Sequence, residues 1–175
     1  RVYVNGKEAG YWPYGYNSFH LDVTPYLKVG EVNELAVRLE NENESSRWYP
    51  GAGLYRNVHL VVTEDAYVPT WGTHVTTPVV NEKYAKVVLN TKLATAKGAD
   101  RSAYRIVTEI KDPNGKVVAK EENKLSVFNE CQFEQEFAVA TPALWSVENP
   151  FLYTAESKIY AGNTLKDEYT PRFGI

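Results

Sequence analysis

Cysteine is nearly missing from this chain: Cys131 is the single one in 175 residues, which excludes an internal disulfide and any metal site built on several thiolates. Methionine is absent. A basic excess is also lacking, with 19 Lys and Arg against 22 Asp and Glu and a net charge of −3. That balance leaves no electrostatic footprint for nucleic acid or for an anionic membrane surface, so neutral partners are expected. No apolar run approaches the roughly 18 residues of a membrane-spanning helix. Histidine is scarce, and His20, His59 and His74 lie on separate strand-like runs without the close spacing of a metal-binding pair. Neither a metal nor a cofactor is implied. Helical periodicity beyond one turn, heptads, short-period repeats and low-complexity tracts are also wanting. The cellular compartment stays open.

What the chain does have is tyrosine, 13 of them within an aromatic share of 13%, and many short β-branched runs, the composition of an all-β sandwich. Val2-Tyr3-Val4 is closed by Asn5-Gly6, whose tolerance of positive φ predicts a tight hairpin. After the aromatic cluster Tyr11-Trp12-Pro13-Tyr14-Gly15-Tyr16, the run from Ser18 to Val23 alternates, with Phe19, Leu21 and Val23 on one face. Thr24-Pro25 interrupts it and predicts at most one helical turn, capped by Thr24. Further strands are expected from Asn33 to Leu39, with Leu35, Val37 and Leu39 inward, and from Leu54 to Thr63. Because Arg1 opens directly in a strand-like run, a piece of a longer protein is expected.

Glu64-Asp65-Ala66 separates two apolar runs and marks an expected domain boundary, 1–64 before it and 65–175 after it. Beyond it, strand-like runs recur at Tyr67–Thr77, Tyr84–Ala94, Tyr104–Lys111, Lys116–Lys120, Cys131–Val139, Phe151–Tyr160 and Leu165–Thr170. Short strands separated by turn signals form the pattern of an immunoglobulin-like sandwich. Val87, Leu89, Thr91 and Leu93 share one face by alternation, as do Phe133, Gln135, Phe137 and Val139. Asp112-Pro113-Asn114-Gly115 and Gly162-Asn163 are the expected turns.

Several residues could carry chemistry. In the stretch from Ser45 to Val58, Arg47, Trp48, Tyr49 and Pro50 sit on a loop, and Gly51 and Gly53 are expected to turn the chain. Glu40, Glu42 and Glu44 alternate, but a calcium loop needs a fuller ligand set and a placed glycine, so a solvated loop is expected there. Trp12, Tyr14 and Tyr16 could stack on sugar rings or pack against a neighbouring part of the fold. Arg56, beside a Gly-rich turn, is expected to pair with a carboxylate or with backbone carbonyls. Cys131 is expected to be a partly buried thiol, and Trp145 to plug one end of the second sandwich.

Taken in order, Val4-Asn5-Gly6, Gly15-Tyr16, Asp22-Val23-Thr24-Pro25-Tyr26-Leu27, Asn33-Glu34-Leu35-Ala36-Val37-Arg38 and Arg47-Trp48-Tyr49-Pro50-Gly51-Ala52-Gly53-Leu54-Tyr55-Arg56-Asn57-Val58 resemble the sugar-binding jelly-roll domain of family 2 glycoside hydrolases. Leu144-Trp145-Ser146-Val147-Glu148-Asn149-Pro150-Phe151-Leu152-Tyr153 resembles the end of that family's immunoglobulin-like domain. Arg172-Phe173-Gly174-Ile175 resembles the link into its catalytic barrel. The resemblance implies an all-β chain: the C-terminal part of a jelly-roll over 1–64, galactose-binding-like, then an immunoglobulin-like sandwich over 65–175. A (β/α)₈ barrel needs about 250 residues, and the family's two catalytic glutamates, about 5–5.5 Å apart in retaining enzymes, match no residue here.

The resemblance thus implies a parent β-glycosidase, with a β-galactosidase the expected member, and a chain that is itself a catalytically inert scaffold. Its implied partners are carbohydrate and the barrel of the same parent, and self-association through 1–64 is expected. Arg47, Trp48, Tyr49, Trp12 and Tyr14 are the candidate substrate contacts. At the loop where some β-galactosidases send an acidic residue to the sugar, Arg47 or a neighbour stands instead. The alternative is a free-standing carbohydrate-binding or adhesion module that uses the Trp12 and Trp48 loops.

Overall fold

In the computed structural model, residues 1–42, 51–95, 103–124 and 132–175 are described. They are all-β apart from one single-turn helix, and the chain divides into two compact units, Arg1–Leu60 and Val61–Ile175.

The first unit is built on the Asn5-Gly6 turn. β1 (Val2–Val4) and β2 (Lys7–Gly10) pair antiparallel with Val4 opposite Lys7. Both turn residues take positive φ, 51° and 78°, as a type I′ turn requires to match the strand twist. β3 (Leu35–Val37) joins the other side of β1, giving the order β2-β1-β3. Asn5 ties these pieces together: its side-chain amide donates to Tyr26 O and Asn33 Oδ1, and its Oδ1 accepts the Glu34 N–H.

Several expectations for this unit fail. Ser18 to Val23 and Leu54 to Thr63 form no strand, and the run from Asn33 to Leu39 shortens to the three residues of β3. Leu35 and Leu39 are 53% and 48% exposed rather than inward. Strand propensity expresses fit to a pleated, half-buried surface rather than a local backbone preference. A run without a ladder partner stays irregular whatever its composition. The helical turn is a 3-10 turn over Thr24–Tyr26, capped by Val23 without a side-chain bond. Thr24 instead donates its N–H to Asp22 Oδ1, in a local side-chain turn. Gly51 and Gly53 do not use the left-handed region, which among the described glycines belongs to Gly6, Gly30, Gly115 and Gly162.

The second unit holds β4 (Ala66–Tyr67), β5 (Thr73–Val80), β6 (Tyr84–Lys92), β7 (Ala94–Thr95), β8 (Tyr104–Lys111), β9 (Val117–Lys124), β10 (Gln132–Ala140), β11 (Tyr153–Ala161), β12 (Thr164–Tyr169) and β13 (Arg172–Phe173). One sheet runs β10-β6-β5; the other runs β12-β11-β8-β9, with β13 also on β11, and β4 pairs β7. The long run expected from Tyr67 to Thr77 is broken because Gly72 donates its N–H to Pro69 O at 2.7 Å, and Trp71 takes φ 58° to close that turn. Pro78, which cannot donate to a ladder, lies at the irregularity between Thr76 and Val79 on edge strand β5. Asp112 shapes its turn by accepting the N–H groups of Asn114 and Lys116 on Oδ1, with Gly115 at φ 81°. The two-residue turn between Ala161 and Thr164 has Gly162 at φ 58°.

The alternating faces meet between the sheets. Val87, Leu89, Ile110, Phe137, Val139, Tyr153 and Ala155 form one buried cluster, and Ala66, Val68, Leu93, Tyr104, Ile106, Phe133 and Ile159 form another. Each large aliphatic or aromatic side chain so buried contributes about 1.5–3 kcal/mol. Buried polar side chains lie among them. Thr108 Oγ1 donates to Gln135 Oε1 at 2.6 Å and lies 2.9 Å from Ser157 Oγ. Gln135 Nε2 donates to Glu121 O and Asn123 Oδ1. This set spans β8, β10, β11 and β9 and satisfies polar groups whose burial would otherwise destabilise the core. The buried hydroxyls of Thr73 and Thr91, opposite each other on β5 and β6, have no hydrogen-bond partner among the described residues.

Candidate functional site

The aromatic cluster ahead of residue 20 is an open feature of the first unit. Trp12 stacks on Phe19 with ring centroids 5.8 Å apart and planes 10° from parallel, yet is 44% exposed. One indole face is therefore held and much of the rest is available. Such a ring, fixed from behind, can take the apolar face of a sugar. Phe19 is the residue the sequence pattern misassigns, since alternation puts it on a strand face toward a core. Tyr14 and Tyr16 form a second, tilted pair at 5.6 Å, both exposed. Gly10 belongs to the local scaffold, because a Cβ there would come within 2.5 Å of Leu21 Cδ2. A lone glycine at the end of a strand is the sequence sign of such close approach.

Arg1 lies over the Tyr11 ring at 5.1 Å and donates to both carboxylate oxygens of Glu8. Hydrogen bonds from Thr24 hold the Asp22 carboxyl below the ordinary carboxylate range. Among the described residues, Arg56 meets neither a carboxylate nor a backbone carbonyl. It donates to Ser18 Oγ at 3.4 Å and its guanidinium lies over the Tyr55 ring at 5.5 Å. Glu40 is engaged by Arg38 at 3.0 Å.

Of the candidate contacts, the structure describes Trp12 and Tyr14, while Arg47, Trp48, Tyr49, Glu44 and Cys131 lie outside the described residues. No group of three or more His, Cys, Asp or Glu among the described residues is arranged to hold a metal ion.

In the second unit Trp145 is half exposed rather than a plug. It lies against Gly174, where an added Cβ would come 3.0 Å from the Trp145 Cβ, and its N–H donates to Ile175 O. Tyr153 fills that end instead: it is buried, its hydroxyl accepts the Ala143 N–H, and Phe151 and Phe173 flank it at 5.2 and 5.9 Å. A phenol can bury its ring and still satisfy its oxygen on a nearby backbone N–H. On the outer face of β8, β9 and β11, Glu156 accepts from Lys111 and Lys158, both at 2.7 Å, and Glu109 accepts from Lys120 at 2.8 Å. These bonds hold the Glu156 and Glu109 carboxyls below the ordinary range. With Glu168 Oε2 3.8 Å from Lys158 Nζ, three lysines face three glutamates, so the face is ionic bracing rather than a charged docking site.

An open three-stranded sheet with exposed aromatics, followed by an immunoglobulin-like sandwich, makes this a two-unit all-β module. The profile of the glycosyl hydrolases family 2 matches residues 66–175, and the chain belongs to that family. Over 99% of its length it is 40% identical to a beta-galactosidase of Bacteroides ovatus, of which it spans 21%. It is 28% identical to a beta-glucuronidase of Formosa agariphila, covering 99% of this chain and 20% of that protein. A family 2 glycosyl hydrolase structure from Bacteroides cellulosilyticus superposes with a TM-score of 0.91 at 35% identity, over 99% of this chain and 23% of that one. The chain thus spans about a fifth of the length of the curated relatives it matches.

Proposed function

We propose that this chain is a non-catalytic supporting part of a family 2 glycosidase, with a β-galactosidase the expected parent. The observation that carries the proposal is the extent of the match: 99% of the chain aligns at 40% identity with 21% of a beta-galactosidase. The rest of such a protein has room for a barrel of about 250 residues. In this reading residues 1–64 are part of a sugar-binding jelly-roll and 65–175 an immunoglobulin-like support. The parent hydrolyses β-glycosidic bonds with two glutamates about 5–5.5 Å apart, both outside this chain. Trp12 and Tyr14, with Arg47, Trp48 and Tyr49, line one rim of the sugar site and are completed by the barrel.

Purified chain is then expected to turn over no nitrophenyl glycoside. Reproducible hydrolysis would overturn the proposal. In the complete parent, Arg47→Ala is expected to change the Michaelis constant or the turnover for a galactoside; if both stay unchanged, Arg47 is not a substrate contact.

The exposed Trp12 and Tyr14 rings also favour a second reading, a carbohydrate-binding or adhesion module that needs no barrel. Isothermal titration of the chain with galactose, lactose and glucuronic acid separates the two. Millimolar or tighter binding favours the module, and silence favours the scaffold. Because Leu35, Leu54, Leu60 and Val62 are all more than half exposed, the chain by itself is also expected to self-associate through residues 1–64.

A further inference from the structure

The chain holds two Asn-Gly dipeptides, Asn5-Gly6 and Asn114-Gly115. Asparagine is a thermally labile residue, most of all before glycine, where no Cβ hinders attack of the following backbone nitrogen on the side-chain carbonyl carbon. Both dipeptides sit in hairpin turns, with the glycine at positive φ, 78° at Gly6 and 81° at Gly115. A Cβ added at either glycine would meet nothing within 4 Å. The two are alike in sequence and turn chemistry and differ in what holds the asparagine side chain.

At Asn5 the carboxamide is fastened at three points. Its Nδ2 donates to Tyr26 O at 2.9 Å and to Asn33 Oδ1 at 2.8 Å, and its Oδ1 accepts the Glu34 N–H at 3.1 Å. Asn33 is fixed in turn, since its Oδ1 also accepts the Lys28 N–H and its Nδ2 donates to the carbonyls of Lys28 and Glu31. Swinging Asn5 Cγ onto Gly6 N would give up all three bonds. Asn114 is exposed. The hydrogen bond it makes among the described residues comes from its backbone N–H, to Asp112 Oδ1 at 2.9 Å, and none holds its carboxamide. The opposing restraint is the Gly115 N–H, donated to Asp112 O at 2.9 Å. That is a single bond at a hairpin tip, where local opening costs least.

We infer that Asn114 is a site of spontaneous deamidation and isoaspartate formation, and that the three-point hold on Asn5 protects the matching dipeptide. Gly115 N loses its proton to solvent base and attacks Asn114 Cγ; the Cγ–Nδ2 bond breaks and ammonia leaves with a proton. The cyclic imide so formed takes up water at one carbonyl or the other. Opening on one side restores the main-chain linkage with an aspartate side chain, and opening on the other routes the backbone through the side-chain carbons as isoaspartate. Net, an amide and water become an acid and ammonia. Both reacting atoms belong to the chain, so the reaction needs water and no partner. Either product puts a new carboxylate in the turn that Asp112 organises. The isoaspartyl form also lengthens the backbone there, misaligning the N–H groups of residues 114 and 116 that Asp112 Oδ1 now accepts.

Peptide mapping by mass spectrometry on the whole chain, held in warm, mildly alkaline buffer, tests this, with enzymatic methylation of isoaspartate identifying the rearranged product. In the folded chain, position 114 should convert roughly tenfold to a hundredfold faster than position 5, because more hydrogen bonds must be given up at Asn5. In chain unfolded by urea, the two positions should convert at similar rates. Asn33→Ala removes one of the three points and loosens the segment that carries the others, so it should speed conversion at position 5 and leave position 114 unchanged. Equal conversion at both positions in the folded chain would overturn the protection of Asn5. An Asn114 that stays intact while the unfolded chain converts would overturn the site.

Discussion

The two units solve the same problem with unequal means. In the second, alternating runs on opposed sheets close over Leu89, Ile106, Ile110 and Ile159, each essentially inaccessible. In the first, residues of the same kind stay open: Leu60 is 74% exposed, Val62 just beyond it 84%, and among the described residues only Val2 and Val4 are buried. Both regions are rich in strand-forming residues. The difference lies in partners, because a hydrophobic face stabilises a sheet only when another layer removes it from water. The second unit supplies both layers, and the described residues of the first form one.

Substitutions of one chemical type should therefore separate the units sharply. Ile110→Ala removes fully buried volume from between the sheets and should destabilise the second unit by about 2–5 kcal/mol in denaturant unfolding. A loss below 0.5 kcal/mol would mean that the sandwich is not the stable half. Gln135→Ala should come next. It leaves the Asn123 side chain and the Glu121 carbonyl without their donor and the Thr108 hydroxyl with only Ser157, a loss of about 1–3 kcal/mol, readable in the same experiment. A neutral result would show that water replaces the amide.

The ionic face gives a smaller, pH-dependent effect. Glu156 and Glu109 have folded values below their ordinary value of 4.5. Their stabilisation is therefore present above about pH 4.5 and lost as pH falls through the lowered folded values. Glu156→Gln should flatten that acid limb and, as part of a network, reduce stability near pH 7 by about 1 kcal/mol. An unchanged acid limb would remove Glu156 from the bracing. Smallest of all, Leu60→Ala should alter stability by less than about 0.5 kcal/mol, as expected of an exposed site. A loss comparable to that of Ile110→Ala would erase the contrast between the units.

The sequence made the second unit legible almost strand by strand, because Val87-x-Leu89-x-Thr91 and Phe133-x-Gln135-x-Phe137 carry the period of two that only a half-buried strand needs. It missed the break at Trp71, although Pro69 and Gly72 bracket that turn. In the first unit, Asn5-Gly6 was readable because both residues act locally. Ser18 to Val23 and Leu54 to Thr63 were misread because their composition is strand-like while their pairing is not supplied locally. The candidate site was legible as an aromatic cluster. Its geometry was not, since the stack of Trp12 on Phe19 joins residues separated by a turn, and periodicity carries no information about such a contact.

Hydrogen exchange followed by mass spectrometry on the intact chain tests the central contrast most directly. Amides of β6, β8, β10 and β11 should be protected to the limit of global unfolding, while the segment from 54 to 63 exchanges orders of magnitude faster. Equal, slow exchange in both places would contradict the account, because it would mean that the exposed segment of the first unit is as well covered as the sandwich core.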